Sequence, residues 1–171
     1  MKKLLLILIA LPMIGFGQQT YVPDDNFEQR LIDLGYDNVL DDYVTTSSID
    51  TITFLYIQNS NISDLTGIED FTALTYLSCV GNQITSINIS NNTALTKLYC
   101  YNNQYTNINI SNNTALTVLI CGNNQLTSLD VSNNTALTHL TVGSSQLTSL
   151  DVSNNTALIS LNLGYNQLTS L

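Results

Sequence analysis

The tripeptide Thr-Ala-Leu at Thr93–Leu95 returns at Thr114, Thr135 and Thr156, 21 residues on each time, with an earlier copy at Thr72. A short fixed period leaves few folds open. A unit of this length cannot enclose its own apolar side chains, so it buries them against the units before and after it. The chain therefore stacks into a solenoid. A solenoid presents a long regular surface to a partner, so the period points to a binding module without naming the ligand.

One unit, Leu116–Ala136, carries apolar residues at Leu116, Leu119, Cys121, Leu126, Leu129 and Val131. Around Leu119 and Cys121 the chain alternates with Val118, Ile120 and Gly122, and period two predicts a half-buried strand. Leu116, Leu119, Cys121, Asn124 and Leu126 spell LxxLxCxxNxL, and Leu126, Leu129, Val131 and Asn134 repeat the pattern as LxxLxVxxN. This resembles the leucine-rich repeat in its 21-residue bacterial IRREKO form, over about residues 52–171. The first unit starts at Ile52 and reaches Leu74 after 22 residues. Its segment Ser63–Leu74, with the helix predicted before it, resembles the cap and opening repeat of internalin-style bacterial surface proteins. The resemblance implies an α/β solenoid dominated by parallel β-structure, a right-handed coil or horseshoe. It also implies a short helical N-terminal cap, little helix in the repeats, and about six units over residues 51–171, the last truncated.

The ends are read separately. Lys2 and Lys3 precede the apolar run Leu4–Ile14, which has the length of a signal-peptide core and falls short of the roughly 20 apolar residues of a spanning helix. Residues 1–17 are expected to be a signal peptide cleaved before Gln18, leaving no transmembrane segment and a secreted or cell-surface protein. Leu171 falls inside a repeat with no polar cap after it. A solenoid needs a cap at each end. The natural gene is therefore expected to continue, with self-association through the open end as the alternative.

Without Lys2 and Lys3, 13 acidic side chains face two basic ones, Arg30 and Lys97, for a net charge of about −11. Nucleic acid and anionic membrane surfaces are disfavoured, because both need clustered Lys and Arg. Residues 18–50 hold most of the acids and read as a helical cap. Pro23–Asn26 predicts a helix start, with Asp25 as N-cap and Glu28 completing a capping box. Phe27, Leu31 and Leu34 share one face, and Gly35 ends the helix. Asp37, Asn38, Asp41 and Asp42 read as a solvated acidic turn; a calcium loop is the alternative, but the spacing and glycine of the twelve-residue loop are missing.

Two asparagine columns run through the repeats. Asn82, Asn103, Asn124 and Asn166 follow the strands, and Asn92, Asn113, Asn134 and Asn155 form the nested second set. A buried amide at a turn bonds backbone groups that the turn leaves unpaired, so both columns read as structural ladders. Ser145 breaks the first column and marks the fifth unit as the weakest. Cys79, Cys100 and Cys121 share a column with Ile57, Val142 and Leu163, which reads as buried apolar thiols. A disulfide would leave one cysteine over, and zinc would need a fourth ligand.

No catalytic residue, metal site or cofactor is expected. His139 is the sole histidine, Asp130 and Asp151 read as exposed turn residues equivalent to Asn88 and Asn109, and no phosphate or dinucleotide motif occurs. Asn-x-Ser/Thr sequons such as Asn133-Asn134-Thr135 follow from the repeat spelling. The resemblance places ligands on the concave face, formed by outward strand residues. Phe54, Tyr56, Tyr76, Lys97, Tyr99, Tyr101 and His139 are the candidate binding residues. Tyrosine anchors protein partners and can stack on sugars, although it also suits strands for packing reasons alone. The function expected is non-enzymatic recognition of a protein or glycan. The alternatives are the targeting arm of a secreted enzyme or a surface-layer component.

Overall fold

The computed structural model describes residues 17–170. The expectations for the leader Met1–Gly17, apart from Gly17 itself, and for Leu171 lie outside the described residues.

The repeats form a β-solenoid of about five turns with parallel strands and little helix. Six three-residue strands, one at each passage of the chain, bound these turns: β3 (Phe54–Tyr56), β4 (Tyr76–Ser78), β5 (Lys97–Tyr99), β6 (Val118–Ile120), β7 (His139–Thr141) and β8 (Ser160–Asn162). These pair in chain order into one six-stranded parallel sheet, in register with the repeat: Leu55, Leu77, Leu98, Leu119, Leu140 and Leu161 stand side by side. The register follows from the apolar alternation, since a one-residue slip would turn every leucine to water. The first five leucines are fully buried, and Leu161 on the edge strand is 37% exposed.

Between strands the chain makes one tight turn per unit in the left-handed region. Asn59, Gly81, Asn102, Asn123, Ser144 and Tyr165 occupy that column, all with φ between 51° and 70°. Asn and Gly tolerate this conformation, whereas Tyr165 does so under strain.

The cap differs in three ways from the sequence reading. First, α1 (Asp25–Asp33) is capped by Asp24, one residue earlier than expected; its Oδ1 accepts the N–H groups of Asn26 and Phe27 at 3.0 Å. Second, Glu28 makes no capping box. It is fully buried, and its carboxylate accepts the N–H groups of Asp41, Asp42 and Tyr43 at 2.9–3.1 Å. A buried carboxylate needs such partners, and three donors on one turn supply them. Third, the cap contains an antiparallel pair, β1 (Gln19–Tyr21) with β2 (Tyr43–Thr45). Neither strand lies in a repeated unit, so no recurring pattern marks it in the sequence. The helix ends at Gly35 (φ 79°), with Gly35 N–H on Ile32 O and Tyr36 N–H on Leu31 O, both 2.9 Å, a Schellman closure. Phe27 and Leu31 are buried and Leu34 is half-buried. Phe27 stacks on Phe71 of the first turn at 6.3 Å, which couples cap to solenoid.

Candidate functional site

The outward residues of the strands share one sheet face by period two. Three columns run across it: Phe54, Tyr76, Lys97, Val118, His139, Ser160; then Tyr56, Ser78, Tyr99, Ile120, Thr141, Asn162. The third, just past the strands, is Gln58, Val80, Tyr101, Gly122, Gly143, Gly164.

The candidate residues do not form one cluster of equals. Four rings make a continuous stack. Tyr76 lies 6.0 Å from Phe54, 4.9 Å from Tyr56 and 5.2 Å from Tyr99, with interplanar angles of 30–36°. Phe54 and Tyr56 remain 55% and 46% exposed, while Tyr76 and Tyr99 are half-buried. Burial, followed by the neighbouring phenols of Tyr56 and Tyr99, pushes the Tyr76 hydroxyl above its ordinary pKa. Tyr101 is 43% exposed and stands outside the stack, in the column that continues as glycine. A Cβ at Gly122 would sit 2.7 Å from Gly143 O, so adjacent turns approach too closely there for a side chain. The face is thus a ring shelf in its first half, and in its second half the third column is bare backbone beside the smaller side chains of the first two. Lys97 and His139 are exposed two strands apart, and the His139 ring meets Thr138 Oγ1 at 2.9 Å.

Behind the sheet, the first asparagine column holds successive turns together. Asn103 Nδ2 donates to Cys79 O and Cys100 O, and its Oδ1 accepts Ile84 N–H; Asn124 and Asn166 repeat the pattern one and three turns on. Asn82 Oδ1 accepts both Ser60 and Ile62 N–H. Ser145 is too short for this, and its hydroxyl is buried without a partner. The second column is only half satisfied. Asn92, Asn113, Asn134 and Asn155 each donate twice to carbonyls at 2.9–3.0 Å, yet each Oδ1 is buried and unpaired.

Cys79, Cys100 and Cys121 are free thiols with no exposed surface. Tyr105, fully buried where neighbouring units carry Ile84 and Leu126, brings its hydroxyl 3.6 Å from Cys79 Sγ. Nothing in the repeat pattern distinguishes it from a surface tyrosine except its column. Burial pushes the Cys79 thiol up to about 12, with the Tyr105 hydrogen bond opposing; a hydrogen bond with Cys121 and then burial push Cys100 up as well. Such thiols are poor nucleophiles.

Acid–base chemistry finds no better footing. Asp130 and Asp151 are exposed and accept Ser132 and Ser153 N–H at 2.9 and 2.8 Å; the serine hydroxyl and then its N–H hold each carboxyl below the usual range. Asp130 borders a groove of about 340 Å³ with Asn107, Asn109, Ser128 and Asn133, away from the strands. Asp41, one of the alternative calcium ligands, is turned onto Tyr43 N–H at 3.2 Å. Among the described residues no group of three His, Cys, Asp or Glu side chains could hold a metal, and no helix is long and apolar enough to cross a membrane.

No protein-family model matches the chain. Over 72 residues it is 41% identical to internalin J of Listeria monocytogenes, a match covering 42% of this chain and 8% of that protein. The solved functional domain of InlJ from Listeria monocytogenes, described as including a cysteine ladder, has a TM-score of 0.64 and 32% identity; the match covers 91% of this chain and 47% of that one. Internalin InlF of the same species gives 0.65 and 28% identity, over 86% of this chain and 52% of that one. A leucine-rich repeat protein of Leptospira interrogans shares the fold at TM-score 0.67 and 24% identity, over 71% and 33%. The chain spans about half or less of the length of each protein it matches. The similar proteins are internalins and a Leptospira leucine-rich repeat protein, and the structure is a solenoid typical of leucine-rich repeats in bacteria.

Proposed function

We propose that this chain is an exported, non-enzymatic module that binds a protein partner across the aromatic half of its strand face. The observation that carries the reading is the ring stack of Phe54, Tyr56, Tyr76 and Tyr99 on a continuously paired parallel sheet. Aromatic anchors held rigid before binding lose little entropy on contact. A pyranose needs an open ring face. Here the rings lie within 4.9–6.0 Å of one another, tilted by 30–36°, so they cover part of one another's faces, which suits a protein surface better than a glycan. The internalin homologues support a repeat-based protein-binding module. Export rests on the Lys2-Lys3 start and the Leu4–Ile14 run. Cleavage before Gln18 leaves the cap whole, since Gln18 O accepts Thr46 N–H at 2.8 Å and β1 begins at Gln19.

The test is a comparison of wild type with the Tyr76→Ala/Tyr99→Ala/Tyr101→Ala variant. Proteins retained by the first and not the second are identified, purified and titrated. The triple variant should lose at least about a hundredfold in affinity, the scale of one or two hot spots. Equal affinity in a variant with unchanged circular dichroism removes the shelf from the reading. N-terminal sequencing of the secreted protein should begin at Gln18.

A further inference from the structure

Charge is segregated on this molecule in a way its net charge hides. The chain has 13 acidic residues, and none falls at the 18 positions of the strand face. The described residues hold two basic side chains, Arg30 and Lys97, and both lie on that face or its rim, with the sole histidine, His139, on the same face. Lys97 and His139 project from β5 and β7, and Arg30 reaches over from α1 to place Nε 3.3 Å from Tyr56 O. The strand neighbours of Lys97 are Tyr76 and Val118, so no carboxylate flanks it within the sheet.

Three carboxylates of the cap and first turn are committed to the fold. Asp24 Oδ2 accepts Ser63 Oγ, Ser63 N–H and Asp64 N–H; Glu28 holds three backbone donors; Asp70 accepts Thr20 Oγ1 at 2.6 Å. They are poor candidates for drawing a basic partner to the shelf. The Debye length at physiological salt is about 8 Å, so a ligand lying on the sheet senses Lys97, which has no carboxylate beside it in the sheet, before charges on other faces.

Resting on the protein-binding reading above, we propose that the partner presents an acidic, extended segment that runs along the solenoid axis. Its apolar side chains lie on the ring shelf and against Tyr101, and its carboxylates meet Lys97 and His139. Beside Tyr101 the column continues as Gly122 and Gly143, so no side chain stands there to block its main chain.

The test is a selection of random linear peptides displayed on phage, panned on the purified full chain at low and at high salt. Enriched peptides should be rich in Asp and Glu with interspersed apolar residues. Synthetic copies should bind about tenfold more weakly to Lys97→Glu and at least several-fold more weakly to Lys97→Gln, with the difference shrinking at high salt. Lys97 is exposed, so both variants should melt like wild type. Neutral or basic peptides that are lost on the triple tyrosine variant would overturn the acidic partner and leave the binding face standing. Acidic peptides bound equally by the triple variant would overturn both. The absence of any enriched peptide, or binding of an oligogalacturonate probe instead, would overturn the acidic protein segment.

Discussion

At the scale of single residues, the molecule depends on polar side chains that each satisfy several backbone groups. Asp24 is the clearest case. One oxygen caps α1 and the other takes three donors from Ser63 and Asp64, so a single carboxylate pins the cap to the first turn. Burial pushes its pKa up, but the hydrogen bonds from Ser63, Phe27 and Asp64 outweigh it and the net shift is downward. Its stabilisation is therefore full above the ordinary carboxylate pKa and fades as pH falls through the lower folded value. Asp24→Ala should cost about 1–3 kcal/mol in urea unfolding, the loss of an N-cap plus stranded donors. A cost within error of zero would show that the staple is dispensable. Ser145 makes the opposite point. Its neighbours in the column each bridge two turns, and its own hydroxyl is stranded. Ser145→Asn should stabilise by about 0.5–1.5 kcal/mol, one or two net hydrogen bonds. A neutral or destabilising result would mean that the fifth turn has relaxed around the shorter side chain.

At the scale of elements, a three-residue strand has no stability of its own, and its buried column supplies it. Leu119 is fully buried in β6 with Leu98 and Leu140 on either side. Leu119→Ala should cost about 2–5 kcal/mol by chemical denaturation. A loss under half of one kcal/mol would place it outside the core. The cysteine column adds a pH signature. With the Cys79 thiol pushed up to about 12 from an ordinary 9.0, the folded state keeps a proton that the unfolded chain loses. Stability is full below pH 9 and falls as pH rises towards 12, by up to about 1.4 kcal/mol per pH unit from this group. Cys79→Val, which borrows the residue found at Val142, should flatten that fall between pH 8 and pH 10.5. Equal slopes in the two proteins would remove the thiol as the cause.

At the scale of the whole molecule, each turn touches only its neighbours. The period, the leucine and asparagine columns and the strand positions could all be read from the chain, because a repeat forces every unit to bury the same positions. The outward columns followed from period two alone. Other features were not legible, and each depends on which segments meet in space. Glu28 looked like a local capping partner because Asp25 stands three residues before it, whereas a loop 13–15 residues later takes its carboxylate. Tyr105 shares the apolar column of Ile84 and Leu126, but the meeting of its hydroxyl with Cys79 Sγ one turn back was not legible. The ring stack needed adjacent strands in register, and the segregation of charge onto one face needed that face to exist. Sequence by itself determined the solenoid, because periodic burial has one stacking solution. Only the tertiary structure decided which polar groups carry the cap and which rings shield one another, because those contacts join residues with no fixed spacing along the chain.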